Sequence, residues 1–412
     1  MRLFLNALGA SCASGLTHLR NVIPQLSRFA GVETTLAANP EIRSEFADLP
    51  NISLPAIPPF ANSVKRFWFE QTVLPDIVRR SKADILISTG NFALRHSPVP
   101  QILLSGNSLY TSQDFRRDLW SRKDYRLWLD NHLKSAVARH SIHWADLTIA
   151  PSQSFADELR RWTGKPVECI YHGFSPSVFF AQDPPLPSNI REQLDAARNH
   201  IRLLFVSHYN YYRNFETLLR ALPIVRKHSS QPVRLFLTCE FRHGANPGSY
   251  RPEQANALLK ELGLQDEVVQ LGAVPYHLLH QVYRAADIYV TPSYAETFAH
   301  PLVEAMACGL PVVASDLPVH REICRNAALY FHRFSPETLA EQVLRLVGLS
   351  ARQQFAKRGS NRAIDFTWQK HIEQLLAKAH QLLGKRNVIE NVAFAHPTPP
   401  ILREHPVEQL PA

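Results

Sequence analysis

Two kinds of stretch alternate along most of the chain: short runs of aliphatic and β-branched residues, and longer segments with apolar residues three and four apart. That alternation predicts a parallel sheet buried on both faces by helices. In the first half the predicted strands are 2–6, 32–37, 83–88, 101–105, 145–150 and 167–171. In the second they are 202–206, 233–238, 267–271, 287–291, 311–314 and 328–331. Residues 153–162 are a predicted helix with Ser152 as its N-cap. Leu218, Leu219, Leu222 and Val225 give 214–225 one apolar face, and Ser335-Pro336-Glu337 opens a further helix.

Between the two series stands Asp183-Pro-Pro-Leu-Pro-Ser-Asn189, which continues neither a helix nor a strand easily. The expected organisation is therefore a first Rossmann-like domain at 1–182, a linker at 183–200 and a second Rossmann-like domain at 201–366. A last helix at 367–384 is free to cross back to the first domain, and a Pro-containing tail occupies 385–412. The length of 412 residues exceeds what one core usually serves. The fold class is α/β, with two doubly wound domains facing across a cleft. Ligands of open α/β sheets bind beyond the carboxyl ends of the strands, so the cleft is the expected site.

Composition narrows the partners. Hydrophobic residues make 45% and charged residues 20%, as in globular proteins and unlike disordered or coiled-coil chains. Lys plus Arg number 45 against 36 Asp plus Glu, a formal charge of +9 that favours anionic partners: phosphates, an anionic lipid surface or nucleic acid. The five cysteines, Cys12, Cys169, Cys239, Cys308 and Cys324, are odd in number and unclustered. Neither a disulfide framework nor a Cys-based zinc site is indicated, and a reducing compartment is expected. The opening MRLFLNALGASCASG imitates a signal peptide, but Asn6 interrupts its apolar run and only Arg2 supplies charge, so a first buried strand is preferred. No apolar stretch approaches the roughly 20 residues that span a bilayer. A cytoplasmic location is expected, with any membrane contact peripheral and at the inner face.

The densest chemistry lies in PSYAETFAHPLVEAMACGLP, residues 292–311. It joins two predicted strands, so its first part is a loop at the carboxyl edge of the sheet and its second a short helix with Pro301 in the opening turn. Free amides at such a helix start suit a diphosphate. Glu296 lies before the helix and Glu304 inside it, so the two carboxylates can flank the anion site. A carboxylate accepts two hydroxyl hydrogens, which suits a ribose diol at Glu304 and sugar hydroxyls at Glu296.

The whole segment 292–316, with its two glutamates eight positions apart, resembles the signature of retaining group-1 (family 4) glycosyltransferases of the GT-B fold. LLFVSHYNYYRNFETLLRAL resembles that family's donor-phosphate loop and helix, and VVQLGAVPYHLLHQVYRAADIYVTPS its base-side loop, which contains Val274. ADLTIAPSQSFADEL, CIYHGFSPSVF and ALGASCASGLTHL resemble parts of its first domain. The resemblance implies transfer of a hexosyl group, mannosyl being frequent in the family, from a GDP- or UDP-linked sugar to a glycan or lipid-linked acceptor. It implies no cofactor, no metal and no nucleic-acid partner. Glu296 would contact the donor sugar and Glu304 the ribose. Thr297, Phe298 and Ala299 would offer backbone amides, Val274 would lie beside the base, and Arg213 would neutralise the leaving diphosphate where the family commonly has lysine. Gly15 would permit close approach of a phosphate or acceptor.

Three positions depart from the family's pattern. His208 stands near its usual second phosphate-binding arginine, Ala299 where it usually has glycine, and Asn107, in LLSGNSLY, where many members place a histidine near the reacting sugar. An amide accepts a hydroxyl but does not titrate. The sequence lacks Asp-x-Asp, GxSxG, the phosphate-binding Gly-rich Lys-Ser/Thr loop and GxGxxG, which removes the signatures of metal-bridged transferases of the other main fold, hydrolases, P-loop NTPases and dehydrogenases. The rival readings are a related epimerase or phosphorylase, and a binding scaffold without turnover.

Overall fold

A computed structural model describes residues 1–10, 13–181, 183–248 and 250–384; Cys12 and the tail 385–412 lie outside the described residues. Two parallel sheets carry the architecture. The first contains β1 (Arg2–Asn6), β2 (Glu33–Ala37), β3 (Ile52–Ser53), β4 (Ile85–Ser88), β5 (Gln101–Leu104), β6 (Leu147–Ala150) and β7 (Glu168–Cys169), in the order β3-β2-β1-β4-β5-β6-β7. The second contains β8 (Ile201–Phe205), β9 (Val233–Leu237), β10 (Val268–Gln270), β11 (Ile288–Thr291), β12 (Val312–Ser315) and β13 (Ala328–Phe331), in the order β10-β9-β8-β11-β12-β13. In each sheet the order reverses beside the first strand, which is the doubly wound arrangement expected from the sequence. Only β3 escapes the apolar pattern, being two residues long.

Both sheets are buried on both faces, which is why their strands read as continuous apolar runs. In β1, Leu3 and Leu5 enter one core while Phe4 enters another on the opposite face. In β8, Leu203 and Phe205 are separated from Leu204 in the same way. Each fully buried aliphatic or aromatic side chain of this kind contributes roughly 1.5–3 kcal/mol.

The helices that position the site are α1 (Ala13–Leu26), α2 (Gln113–Ser121), α3 (Tyr125–Trp144), α4 (Gln153–Thr163), α5 (Ser188–Asp195), α6 (Phe215–His228), α7 (Tyr276–Arg284), α8 (His300–Ala307) and α9 (Trp368–Leu382). Ser152 caps α4 by accepting from Phe155 N. The stretch 183–200 is not an open linker: its prolines give way to α5, whose Ile190 and Leu194 are buried in a core of the second lobe. Segment order and packing also part company at α2. Phe115 and Leu119, from the first half of the chain, are buried in the second lobe's core with Tyr211, Phe215 and Tyr294. Helix α9 makes the reverse crossing, and Trp368, Ile372, Leu375 and Leu376 join Leu3 and Leu5 in the first lobe. Among the described residues no helix is long and apolar enough to cross a membrane.

The return of the chain to the first lobe depends on a close backbone approach. Phe174 N donates to Phe366 O at 3.2 Å, and Phe174 bridges Thr367. A Cβ added at Gly173 would lie 2.1 Å from Trp368 N and 2.4 Å from Thr367 C, both backbone atoms that cannot swing aside. Gly173→Ala is therefore expected to destabilise by at least roughly 1–3 kcal/mol, as overpacking does. Gly348→Ala, where an added Cβ meets nothing within 4 Å, should be near neutral. Thermal unfolding of the two variants checks the difference.

Candidate active site

The segment singled out in the sequence connects β11 to α8 at the carboxyl edge of the second sheet. Ala299 sits in the left-handed region at φ 62°, immediately before the first helical residue. The family's glycine adopts that conformation freely, whereas an L-side chain pays roughly 1–2 kcal/mol for it. The loop is held by Phe298, which is buried against His172, His300 and Phe366. Pro301 has no N–H and Leu302 N donates to Ala299 O at 3.0 Å, yet the aligned peptide dipoles still make the start of α8 an electropositive end. Thr297 carries the seam between the lobes. Its carbonyl accepts from Ser152 Oγ at 2.6 Å and its hydroxyl donates to Gly106 O at 3.4 Å.

Arg213 and Glu296, assigned to different parts of the donor by the resemblance, meet each other. Arg213 Nη1 pairs directly with Glu296 Oε1, and both side chains are largely buried. Arg213 also donates to Ser293 Oγ at 3.3 Å and lies over the Tyr212 ring, 5.0 Å from its centroid. Its Nε is buried without a protein partner. Asn214 fixes this meeting. Held left-handed at φ 54°, it donates from Nδ2 to Pro292 O at 3.2 Å and to Arg333 O at 2.6 Å, while its Oδ1 accepts from Thr217. Tyr294 N adds a bond to Tyr212 O at 2.9 Å. The loops after β8, β11 and β13 are thus tied together, and a buried charge pair in such a frame is pre-organised.

Glu304 is placed differently from the expectation. It is only 5% exposed, on the inner side of α8. Tyr283 Oη donates to its Oε2 at 2.9 Å, and the Tyr276 hydroxyl bonds it as well. Burial pushes its carboxyl up to about 7, with the two phenols opposing only in part. Glu304 therefore does not stand open at the mouth of the helix beside Glu296. A diol reaches it only by taking the place of a tyrosine hydroxyl, and Tyr276, which is partly exposed, is the one nearer solvent.

The remaining predicted residues divide. Val274 is partly buried against the second lobe's core, in the loop before α7. His208 lies three residues before the Tyr211–Arg213 turn, where desolvation and the Arg213 charge lower its pKa. Asn107 caps the short turn Ser108–Tyr110, its Oδ1 accepting from Leu109 N at 3.1 Å. At Gly15 an added Cβ would lie 3.2 Å from both Cα and Cβ of Ala10, so the glycine lets α1 close on its own preceding loop.

Sequence spacing gave no sign of the histidines that meet where the lobes join. His18 on α1, His172 after β7, His300 at the start of α8 and His371 on α9 lie with ring centroids 5.1–5.5 Å apart. His18 and His371 share a hydrogen bond of 3.1 Å between their Nε2 atoms, and His371 Nδ1 bonds Tyr171 O at 2.9 Å. Burial holds all four below their ordinary pKa, His300 and His371 at about 4. They pack as neutral rings. Beside Glu296 the seam opens into a crevice of about 440 Å³, lined from both lobes by Thr111, Asp114, Glu158, Tyr294 and Arg333.

Known proteins share this architecture, and a family model spans this segment. The family described as glycosyl transferases group 1 matches residues 188–362, and that described as glycosyltransferase family 4 matches residues 16–178. An uncharacterized glycosyltransferase of Methanocaldococcus jannaschii is 29% identical over 208 residues, covering 48% of this chain and 50% of the relative. The D-inositol 3-phosphate glycosyltransferase of Streptosporangium roseum is 32% identical over 180 residues, covering 43% and 40%. The chain thus spans about half the length, or less, of these curated relatives. Among solved structures, sucrose-phosphate synthase from Thermosynechococcus elongatus superposes with a TM-score of 0.72 at 18% identity, covering 93% of this chain and 99% of that one. Anabaena HepE in complex with UDP and glucose gives 0.65 at 18% identity, with 92% and 100% covered. The chain belongs to the group 1, family 4 glycosyltransferases and has the GT-B fold.

The environment of Glu304 has a pH signature. Its carboxyl titrates near 7 when folded against an ordinary 4.5, so between those values the folded state binds more protons. Stability from this group is then lost as pH rises through the window. Glu304→Gln removes the titration, so it should gain stability relative to the parent from about pH 5 to about pH 8, by up to roughly 3 kcal/mol. Chemical denaturation of both proteins across that range is the check, and a pH-independent difference contradicts the assignment.

Proposed function

We propose that the chain transfers a hexosyl group from a nucleoside-diphosphate sugar to a hydroxyl of a glycan or lipid-linked acceptor, with retention at the anomeric carbon and without a metal. The observation that carries this reading is the Arg213–Glu296 pair beside the electropositive start of α8. An incoming diphosphate competes with Glu296 for the guanidinium, whose Nε is already free to donate. Phosphate oxygens then lie against Arg213 and the positive end of α8, and the released Glu296 accepts hydroxyl hydrogens from the sugar. As the glycosidic bond breaks, the negative charge on the leaving phosphate grows where these donors wait, and such stabilisation is the largest contribution in many enzymes. The leaving phosphate takes the proton of the acceptor hydroxyl on the same face, which gives retention.

The crevice at the seam supports an acceptor that approaches Glu296 from the first lobe. Asp114 and Glu158 offer carboxylates and Thr111 a hydroxyl, groups that suit a polyol. The names of the D-inositol 3-phosphate glycosyltransferases among the relatives agree with that chemistry. HepE was solved with UDP and glucose and with UDP-glucose, which puts UDP-hexoses ahead of GDP-mannose as donors to test. A cytoplasmic enzyme working on a lipid-linked acceptor would touch an anionic membrane face peripherally. A second reading, binding without turnover, draws on the occupied carboxylate of Glu304 and the capping role of Asn107.

A panel of UDP- and GDP-linked sugars separates these readings. A true donor at 100 times its dissociation constant adds about 2.7 kcal/mol of stability, and only an enzyme then moves its labelled sugar to an acceptor. With that donor, Glu304→Ala should chiefly weaken nucleotide binding. Glu296→Ala should slow transfer by a factor on the order of 10²–10³ while the donor still stabilises the protein. Unaltered turnover in both variants refutes the site.

A further inference from the structure

Helices α2 and α3 form an elbow whose two sides differ sharply. The inner side of α2 is buried in the second lobe through Phe115 and Leu119. Three acids of the elbow are held inward by that lobe: Asp114 by Arg333 at 3.0 Å, Asp118 by the Tyr294 hydroxyl at 2.6 Å, and Asp124 by Arg251 at 3.5 Å. The inner side of α3 is closed by Asn131, Ser135, Ala138 and Ile142. What remains outside is apolar at the centre and basic at the edge.

Trp120 is 59% exposed and packs edge-on against Tyr125 and Trp128, with centroids 5.1 and 5.7 Å away. From Tyr125 the exposed face of α3 continues one turn at a time through Leu129 and Leu133, the latter 62% exposed. Residues four apart lie on one side of a helix, so these three and Trp120 form one ridge. Arg117, with a side chain 77% exposed, and the exposed Lys123, Arg126 and Arg139 surround it. The outward acid Asp130 is neutralised by Lys134 at 2.7 Å.

Deepening the peripheral contact proposed above, we propose that this ridge docks on an anionic phospholipid surface, with the Trp120–Tyr125 elbow and Leu129–Leu133 entering the headgroup boundary and the fringe of bases lying over lipid phosphates. Tryptophan and tyrosine favour that boundary because they are apolar at one end and polar at the other. A helix with an apolar ridge and basic flanks lies in the interface plane, bound by buried apolar area and by attraction to anionic lipid together. The charge pattern selects lipid over a second copy of the chain. Across a two-fold axis each basic fringe would face its own like, whereas an anionic bilayer complements it along its whole length. The same elbow touches the donor loop from its inner side, since Arg122 lies over the Tyr211 ring at 4.4 Å and pairs with Glu216 at 2.9 Å. Docking here places the seam crevice next to the membrane that would hold a lipid-linked acceptor.

Co-sedimentation of the full chain with vesicles tests the surface directly. The protein should pellet with phosphatidylcholine vesicles containing phosphatidylglycerol and stay in solution with phosphatidylcholine alone, and added salt should release it. Trp120→Ala/Leu129→Ser/Leu133→Ser should weaken binding to the anionic vesicles by about tenfold or more. Lys123→Glu/Arg126→Glu, which leaves the ridge intact, should abolish the preference for anionic lipid. Nucleotide-induced thermal stabilisation, read on the same samples, shows that each variant is folded. Failure of the parent to bind anionic vesicles, or equal binding by both variants, overturns the proposal. So does a parent that is dimeric by light scattering and becomes monomeric in the triple variant, which would mean that a second copy occupies the ridge. Vesicle binding without any nucleotide stabilisation would instead sink the transferase reading and leave the docking surface standing.

Discussion

The site turns on one largely buried charge pair held in a frame of neutral hydrogen bonds. Arg213 and Glu296 sit on loops after different strands, and the Asn214 and Tyr294 bonds tie those loops together. Removing one member of a largely buried pair leaves the other uncompensated, at a cost of about 3–5 kcal/mol. A diphosphate avoids that cost because it replaces Glu296 as the counter-charge instead of merely removing it. In the proposed exchange the resting pair is a stand-in for the ligand: the carboxylate would occupy the place of the phosphate and be released when phosphate arrives.

Behind this site the two lobes are joined by hydrogen bonds and by a packed, uncharged seam. The seam is closed by the bond that Thr297 O accepts from Ser152, by the one that its hydroxyl donates to Gly106 O, and by the ring packing of four neutral histidines against Phe298 and Trp368. Neutral rings supply apolar contact area without a charge that would compete with Arg213 for the donor. Helices α2 and α9 each cross to the opposite lobe, so the lobes share cores as well as a surface. A site lined from both lobes gains precision from this sharing, because groups from different sheets are held at fixed separation.

Much of this was legible in the chain. Continuous apolar runs located the strands because both sheet faces are covered, and the ends differ by only a few residues from those observed. The carboxyl-edge loop with Glu296 and the helix carrying Glu304 were also placed correctly, since a strand, a loop with small residues and a proline-started helix leave few alternatives. Long-range pairing was not legible. Nothing local indicates that Arg213 meets Glu296, that Tyr283 and Tyr276 cover Glu304, or that Asn107 caps a turn. Four histidines scattered between positions 18 and 371 share no spacing, and their meeting is set by topology alone. The stretch 183–200 misled for a related reason: prolines signal an irregular start but do not reveal the buried face of the helix that follows.

Affinity for free nucleoside diphosphate, measured by calorimetry with UDP and GDP on Arg213→Ala and Glu296→Gln side by side, tests the exchange most directly. If the carboxylate is the resident stand-in for phosphate, removing its charge leaves affinity unchanged or higher, while loss of the guanidinium lowers it about tenfold or more. Equal weakening in the two variants would contradict the account, because Glu296 would then be supporting the diphosphate site and not occupying it.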